Sequence, residues 1–145
     1  LFVYDEPLED SEMITLLSQT HSPVEIDFGD ETYDLDGKRV HIFKSVGEHQ
    51  FYLPFSVSAE VLIVGGGGSG GTGDDFNPGC GGGGAGGVIH KTIFLNSYTN
   101  ITIGVGKGGV PIEKIGGQTS FNGNNGENSY IDNEIAFGGG GGGNF

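Results

Sequence analysis

Apolar and polar residues alternate along much of this chain, and this two-residue period predicts half-buried β-strands. Residues 24–28 (VEIDF) alternate apolar and acidic side chains. Residues 32–35 and 39–43 flank an Asp36-Gly37 pair. Asp-Gly between two alternating segments is typical of a tight hairpin turn. The first half of the chain is therefore predicted to contain a strand followed by a β-hairpin.

The same period continues toward the C-terminus. Further strands are predicted at residues 50–53, 57–64, 88–95, 100–105, 119–121, 130–131 and 134–137. Residues 10–18 alone favour a helix, with Asp10 or Ser11 as its N-cap. A chain dominated by short strands with turn signals between them predicts an all-β fold of the sandwich or jelly-roll type.

Glycine tracts interrupt this pattern in the second half of the chain. Of the 31 glycines, only Gly29, Gly37 and Gly47 precede residue 61, whereas glycine makes up about 7% of an average protein. The structural tracts comprise Gly65, Gly66, Gly67, Gly68, Gly70 and Gly71; Gly81, Gly82, Gly83, Gly84, Gly86 and Gly87; and Gly138, Gly139, Gly140, Gly141, Gly142 and Gly143.

Two interpretations of these tracts are open, a flexible linker and an ordered strand. Ordering glycine costs roughly 0.5–1 kcal/mol per residue more than ordering alanine, so a linker avoids a large cost. However, the apolar residues 61–64 lead into the first tract, and Val88 and Ile89 follow the second. These flanks favour ordered, extended polyglycine II strands, which make no hydrogen bonds within a strand and must bond to their neighbours. No strict Gly-X-Y period is present, which excludes collagen.

Residues 61–70 (VLIVGGGGSG) are similar to the strand and turn of a dinucleotide-binding fingerprint. That fingerprint requires a helix after the glycines, because the helix N-terminus holds the pyrophosphate. Here residues 71–79 (GTGDDFNPG) break a helix, and their two carboxylates repel phosphate. No Gly-Lys-Ser/Thr follows a tract, so the phosphate-binding P-loop is also absent. We therefore expect no bound nucleotide or other cofactor.

The chain is acidic, with a formal net charge of −13. Most of this charge lies in residues 1–60, where 13 acidic and 3 basic side chains give −10. Such a surface repels nucleic acid and anionic membranes. No apolar segment approaches the ~20 residues of a membrane span, and Cys80 is the single cysteine. The chain starts without Met and stops soon after a glycine run, so we expect a piece of a longer protein, truncated at its C-terminus.

The sequence contains only weak matches to motifs for metal binding or catalysis. Asp34, Asp36 and Gly37 imitate part of a calcium loop, but Phe43 stands where its final Glu is required, which favours a hairpin turn. The four histidines show no metal-ligand spacing. Ser69 has no nucleophile elbow around it. Residues 74–75 and 132–134 could hold Ca²⁺ weakly or be solvated loop carboxylates. The sequence predicts neither catalytic nor metal-binding residues, and no enzymatic activity.

The order of segments in residues 47–143 resembles the glycine-rich domain of bacteriophage and large-virus tail-fibre adhesins and virion proteins. A related glycine-rich region occurs in the extracellular part of anaplastic lymphoma kinase. The segments that carry the resemblance are Gly47, Phe51, Pro54, 61–64, 65–71, 81–89, 101–109, 117–121 and 136–143. The resemblance implies a rigid bundle of polyglycine II strands with receptor-reading loops at one end. It divides the chain into an acidic N-terminal region with a short helix and hairpin (1–46) and a glycine-rich β domain (47–145).

This resemblance implies a non-enzymatic structural or recognition module of a virion or extracellular assembly. The alternatives are a minor capsid, cement or filament assembly protein and, less favoured, a nucleotide-binding enzyme. Expected partners are other virion or surface proteins, further copies of the chain, and a host glycan or surface protein, without nucleic acid or membrane insertion. The candidate contact residues lie in loops 72–80, 110–116 and 122–129, and turns favour the same residue types. They are Asp74, Asp75, Phe76, Asn77, Asn122, Asn124 and Asn125.

Overall fold

The fold is built from strands. A computed structural model describes residues 28–73, 79–112 and 120–144, and within these ranges it contains strands and no helix, which confirms the all-β class. The strands are β1 (Glu31–Leu35), β2 (Lys38–Ile42), β3 (Gly47–Leu53), β4 (Val57–Val64), β5 (Val88–Leu95), β6 (Thr99–Val105), β7 (Ser129–Ile131) and β8 (Glu134–Ala136). No helix that could cross a membrane occurs in the described ranges.

Two sequence predictions fall outside these ranges. The helix at 10–18 lies wholly among residues that are not described, and so does the strand at 24–28 apart from Phe28. Phe28 itself is not in a strand. Residue 119 is also outside, while Phe121, the end of the short strand predicted there, makes an isolated bridge with Thr72.

The predicted hairpin is confirmed by β1 and β2. The two strands pair antiparallel, and Asp36 (φ 50°) and Gly37 (φ 76°) form the turn between them. A two-residue turn with positive φ at both central positions matches the right-handed twist of the flanking strands. Aromatic rings link the hairpin to β3: Phe28, which precedes β1, stacks on His41 of β2 with ring centroids 4.2 Å apart and on Phe51 of β3 at 4.1 Å.

Two further sheets share one core. The first has the order β3-β6-β7-β8, and the second is the antiparallel pair β4-β5. Alternate residues of these strands face inward, as the two-residue period predicts. The buried cluster draws on both sheets and consists of Leu53, Ile63, Leu95, Ile101, Ile131 and Ala136. The particular sandwich or jelly-roll connection stays a prediction.

Each glycine tract is continuous in sequence with a strand of the two sheets. The last pair of the β4-β5 ladder is Val64 with Val88, and β8 ends at Ala136. The first tract (residues 65–71) therefore leaves β4 beside the second tract (residues 81–87), which enters β5. The third tract (residues 138–143) follows β8. The ends of three strands thus bring all three tracts to one side of the core.

Candidate functional site: a bundle of glycine-rich strands

The first and second tracts run antiparallel and are joined by backbone hydrogen bonds. The amide of Gly65 donates to the Gly87 carbonyl at 2.9 Å, and Gly68 donates to Gly84 at 2.8 Å. Gly71 repeats the pattern by donating to Gly81 at 3.0 Å. The bonds recur every three residues, so this contact continues the β4-β5 pairing with a different period.

The next residue of each triplet in the first tract bonds to another neighbour. Gly66 donates to the Glu127 carbonyl at 2.9 Å, and Ser69 donates to Asn124 at 2.9 Å. These acceptors belong to residues 121–128, which we name the asparagine segment. It runs antiparallel to the first tract, so most of the loop predicted at 122–129 is a hydrogen-bonded segment of the bundle.

The third tract completes the enclosure of the first. Gly139 donates to the Gly66 carbonyl at 2.8 Å, and Gly142 donates to the Ser69 carbonyl at 2.8 Å, in a parallel arrangement. On a further side, Gly109 donates to the Gly67 carbonyl at 2.7 Å. Among the described residues, the first tract is therefore bonded to the second and third tracts, the asparagine segment and the chain at 109. The tracts are hydrogen-bonded to neighbouring segments, and that they are polyglycine II strands stays a prediction.

Glycine is required here because backbones approach closely. None of the described tract glycines has φ in the left-handed region; among described glycines, positive φ occurs at Gly29, Gly37 and Gly47. Instead, a Cβ added at Gly83 or Gly86 would lie less than 3.0 Å from a carbonyl oxygen of the first tract. Real Cβ atoms do not come so close to a neighbouring backbone, so these positions exclude every other residue type.

The requirement for glycine varies along a tract with the same period of three. In the second tract, a Cβ at Gly82 would meet nothing within 4 Å. Three residues later, the chain carries Ala85, which is exposed. The residues between them, Gly83 and Gly84, both have backbone atoms of other segments closer than ordinary contact. A side chain is therefore admitted at one position of three, on the outside of the bundle.

Three asparagine side chains take part in the bundle. Asn122, Asn125 and Asn128 are spaced by three residues, and each accepts a backbone N–H through its Oδ1 atom. The donors have the same spacing on the antiparallel third tract and the residue after it: Gly138 at 2.9 Å, Gly141 at 2.8 Å and Asn144 at 3.0 Å. We name this set the asparagine ladder. It supplies acceptors to amides that find no carbonyl partner among the described residues.

Other polar side chains of the bundle also bond to backbone. The buried Ser69 hydroxyl accepts from the Asn124 amide at 2.8 Å, and Asn124 Nδ2 donates to the Val110 carbonyl at 2.8 Å. At the sheet end, the buried Ser129 hydroxyl accepts from the Gly106 amide at 3.0 Å. These groups cross-link segments, which is a mechanical role rather than the alignment of a nucleophile with a base.

The sequence-predicted contact residues have different positions. Asp74, Asp75, Phe76 and Asn77 lie outside the described residues. The other three lie in the asparagine segment, where Asn122 and Asn125 belong to the ladder and Asn124 bonds to residue 110. That these asparagines also contact a partner stays a prediction. Sequence reasoning missed the ladder, although residues 122–128 (NGNNGEN) repeat asparagine and glycine at a spacing of three residues.

Among the described residues, charged side chains lie on the strands of the sheets, and the three glycine tracts contain none. Glu60 on β4 accepts hydrogen bonds from His90 at 2.9 Å and from Lys38 at 3.2 Å. These bonds, with that of His90 the stronger influence, lower the pKa of the Glu60 carboxyl. Within the described ranges, no group of three or more His, Cys, Asp or Glu side chains could hold a metal ion. Cys80 is exposed and not in a disulfide.

A comparison with known families assigns the bundle and its sheets together. Residues 44–145 match the family model described as a glycine-rich domain. No curated protein and no solved structure matches the chain. The match includes β3 to β8, all three tracts and the asparagine segment.

Proposed function

This chain belongs to the glycine-rich domain family, and from that premise we propose that it is a non-enzymatic structural and recognition module of a virion or extracellular assembly, of the tail-fibre adhesin kind. The observation that carries the proposal is the bonding of the first tract on four sides, every third residue. A bundle of cross-linked backbone resists bending, and its serine and asparagine side chains bond to backbone groups. It is suited to holding other surfaces apart or presenting them.

We further propose that the bundle strands are polyglycine II. This conformation has three residues per turn, so successive amides point in three directions around the strand axis. The threefold alternation at Gly65, Gly66 and Gly67 supports it, because these residues bond to three different segments. The close approach of backbones at Gly83 and Gly86 also supports it, since strands without Cβ atoms can pack together with Cα–H···O contacts.

A minor capsid or cement protein is the second candidate. It is favoured by exposed apolar side chains beside the bundle: Leu62, Val64 and Val88 lie on one face of the β4-β5 pair, with exposed fractions of 55–68%. Phe137, 68% exposed, lies across from Gly87 at the start of the third tract. Apolar surface of this kind marks contacts with other proteins. In this variant, the chain is held between neighbours rather than at a tip.

Two observations on the described residues disfavour the nucleotide-binding alternative. Residues after the first tract would have to begin a helix to bind a pyrophosphate. In the structure, Thr72 instead pairs with Phe121, and its amide donates to the Phe121 carbonyl at 2.8 Å. The amides of Gly65, Gly66 and Gly68 are also engaged by other segments, so they do not form a free phosphate cradle.

The proposal is tested by locating the chain in its native setting. Antibodies raised against the 145-residue protein are used for immunogold electron microscopy of particles and cells from the source that encodes it. We expect label on particle or cell surfaces, with clustering at fibre tips for the adhesin form and distribution over the shell for the cement form. Label confined to the interior of cells would overturn both forms.

A thermal-shift assay with NAD, FAD and ATP provides the independent check against an enzyme. We expect the melting temperature to stay unchanged at saturating nucleotide. A saturable rise would follow the linkage relation for a ligand that binds the native state. Such a rise would replace the structural proposal with a nucleotide-binding one.

A further inference from the structure

The outer face of the four-stranded sheet carries a tyrosine ring that lies across a glycine. Tyr130 on β7 pairs with Gly104 on β6, and Gly104 pairs in turn with Glu48 on β3. A Cβ added at Gly104 would lie less than 3.0 Å from the Tyr130 ring. The missing side chain at Gly104 therefore lets the ring extend flat over the central strand, as aromatic residues do beside glycines in sheets.

A hydrogen bond holds the far end of this ring. The Tyr130 hydroxyl donates to Glu48 Oε2 at 3.0 Å. This bond to the carboxylate, together with some desolvation, raises the pKa of the Tyr130 hydroxyl, so the group remains a donor. The ring is thus fixed at its backbone end and at its hydroxyl end, which makes it a rigid apolar platform. Its cross-strand partner Ile135, 41% exposed, adds apolar surface to the same face.

An open depression of about 530 Å³, which we call the cavity, lies at this face and reaches the C-terminal end of β5. Its volume lies within the range of roughly 300–1,000 Å³ that is common for small-molecule sites. Apart from Tyr130 and Phe94, its lining is rich in neutral hydrogen-bonding side chains: the amides of Asn96, Asn100 and Asn133 and the hydroxyls of Thr99 and Thr102. Amides both donate and accept, and hydroxyls do the same. The cavity can therefore satisfy a ligand with many hydroxyl groups.

Two carboxylates complete the lining, and both are partly engaged. Glu48 accepts from Tyr130, and Asp132 Oδ1 accepts from the Thr102 amide at 3.0 Å. Asp132 is one of the lining residues, and no Lys or Arg is among the described residues that line the cavity. The described lining residues therefore offer no cation to an anionic ligand. The two carboxylates suit hydroxyl donors, with which they form short, strong hydrogen bonds.

We propose that this face is a binding site for a neutral saccharide. The apolar C–H face of a sugar ring lies on the Tyr130 ring, while its hydroxyls bond to the amides of Asn100 and Asn133 and to the carboxylate of Asp132. An apolar platform surrounded by a few convergent polar groups is the usual composition of a specific ligand site. The nearby Phe94 ring, 64% exposed, extends the apolar contact at the cavity edge.

A cationic amine is the competing ligand for a site with two carboxylates. The two classes differ in their response to salt, because attraction between exposed charges is screened at high ionic strength. Binding of a neutral saccharide depends on hydrogen bonds and stacking and is expected to be the same at low and high salt. This inference concerns a surface of the sheet and does not rest on the bundle. Saccharide binding can therefore fail while the structural role stands, and the structural role can fail while saccharide binding stands.

The test is NMR titration of the ¹⁵N-labelled 145-residue protein with neutral hexasaccharides of glucose, mannose and N-acetylglucosamine in different linkages. We expect at least one to shift the amide signals of Asn100, Thr102 and Asn133 with a Kd in the range of about 0.1–10 mM. The Tyr130→Leu variant removes the platform and should weaken binding at least about tenfold. Tyr130→Phe keeps the ring and should bind within about threefold of the parent protein.

Controls keep the test decisive if Tyr130→Leu disturbs the fold. Asn100→Ala removes one exposed polar contact and should weaken binding about fivefold, the equivalent of one hydrogen bond. Tyr33→Leu alters a tyrosine that is 46% exposed on the separate hairpin and should leave binding unchanged. The proposal is overturned if no hexasaccharide shifts these signals, if Asn100→Ala binds like the parent, or if spermidine alone binds and is released by salt.

Discussion

The two sheets and the glycine bundle are stabilised by opposite means. In β4, alternate side chains such as Ile63 are removed from water, and the repeat is two residues. One residue after β4 ends, Gly65 starts a segment in which the backbone itself is the packing surface and the repeat is three. The sheets are thus damaged when atoms are taken away, whereas the bundle is damaged when atoms are added.

The largest effect is expected from removing atoms in the sheets. Ile101 on β6 is 3% exposed in the shared core. Ile101→Ala should lower the free energy of unfolding by about 2–5 kcal/mol, and Ile101→Val by about 0.5–1.5 kcal/mol, because each leaves a cavity. Urea denaturation followed by circular dichroism measures both. Equal stability of Ile101→Ala and the parent would show that the bundle alone carries the fold.

Adding one methyl group to the bundle tests the other half of the comparison. Gly86→Ala places a Cβ against the Gly65 carbonyl and should cost about 3 kcal/mol through overpacking. Its matched control is Gly82→Ala, four residues earlier in the same tract, where the Cβ meets open space and the change should be neutral or stabilise by up to about 1 kcal/mol. Urea midpoints of the two variants are compared. Similar losses in both would contradict the threefold pattern.

The asparagine ladder provides a smaller and more local test. Asn125→Ala removes the acceptor of the Gly141 amide and should cost about 1 kcal/mol. Asn125→Asp retains an oxygen acceptor and should lose less. Hydrogen exchange at the Gly141 amide reports directly on the bond, with faster exchange in the alanine variant. Unchanged exchange there would mean that the side chain does not protect this amide.

The smallest effect is a pH dependence at the hairpin. The hydroxyl and amide of Ser45, followed by the amide of Lys44, donate to the Asp30 carboxylate and lower its pKa from 3.8 to about 2. A carboxyl with a lowered folded-state pKa stabilises the fold at pH values above about 3.8, and this stabilisation is lost as the pH falls through about 2.

Titration of the Asp30 carboxyl by carbon-detected NMR checks this pH dependence. We expect a midpoint near 2 in the parent protein and a midpoint closer to 3.8 in Ser45→Ala, which lacks the hydroxyl donor. A parent midpoint near 3.8 would show that these donors do not engage Asp30 in solution.

The sheets were predictable because their signals are local. The alternation in residues 57–64 and 88–95 predicts β4 and β5 with the bounds that the structure has, and Asp36-Gly37 predicts the hairpin turn. Side-chain period and turn chemistry act within a few residues, so no knowledge of distant contacts is required. The pairing of β3 with β6, far apart in the chain, is not contained in either pattern.

The sequence predicted that the glycine tracts are ordered, but it did not predict which segments pair with one another. The apolar residues before the first tract and after the second indicated ordered glycine, and the structure shows hydrogen-bonded tracts. Residues 122–129 were interpreted as a loop because asparagine and glycine are also common in turns. Which tract lies beside which depends on backbone atoms alone, and identical glycines carry no side-chain information about their partners. The triplet spacing of Asn122, Asn125 and Asn128 was the one available signal.

The triplet bonding of the tracts also restricts how their length can change. Deleting one residue from the second tract between Gly81 and Ala85 would rotate the remaining residues by a third of a turn, and Ala85 would then turn toward a neighbouring backbone. Deleting or inserting three residues would return every amide to its former direction. The lengths of glycine tracts in domains of this architecture should therefore differ by multiples of three residues, because only such changes keep every hydrogen bond of the bundle.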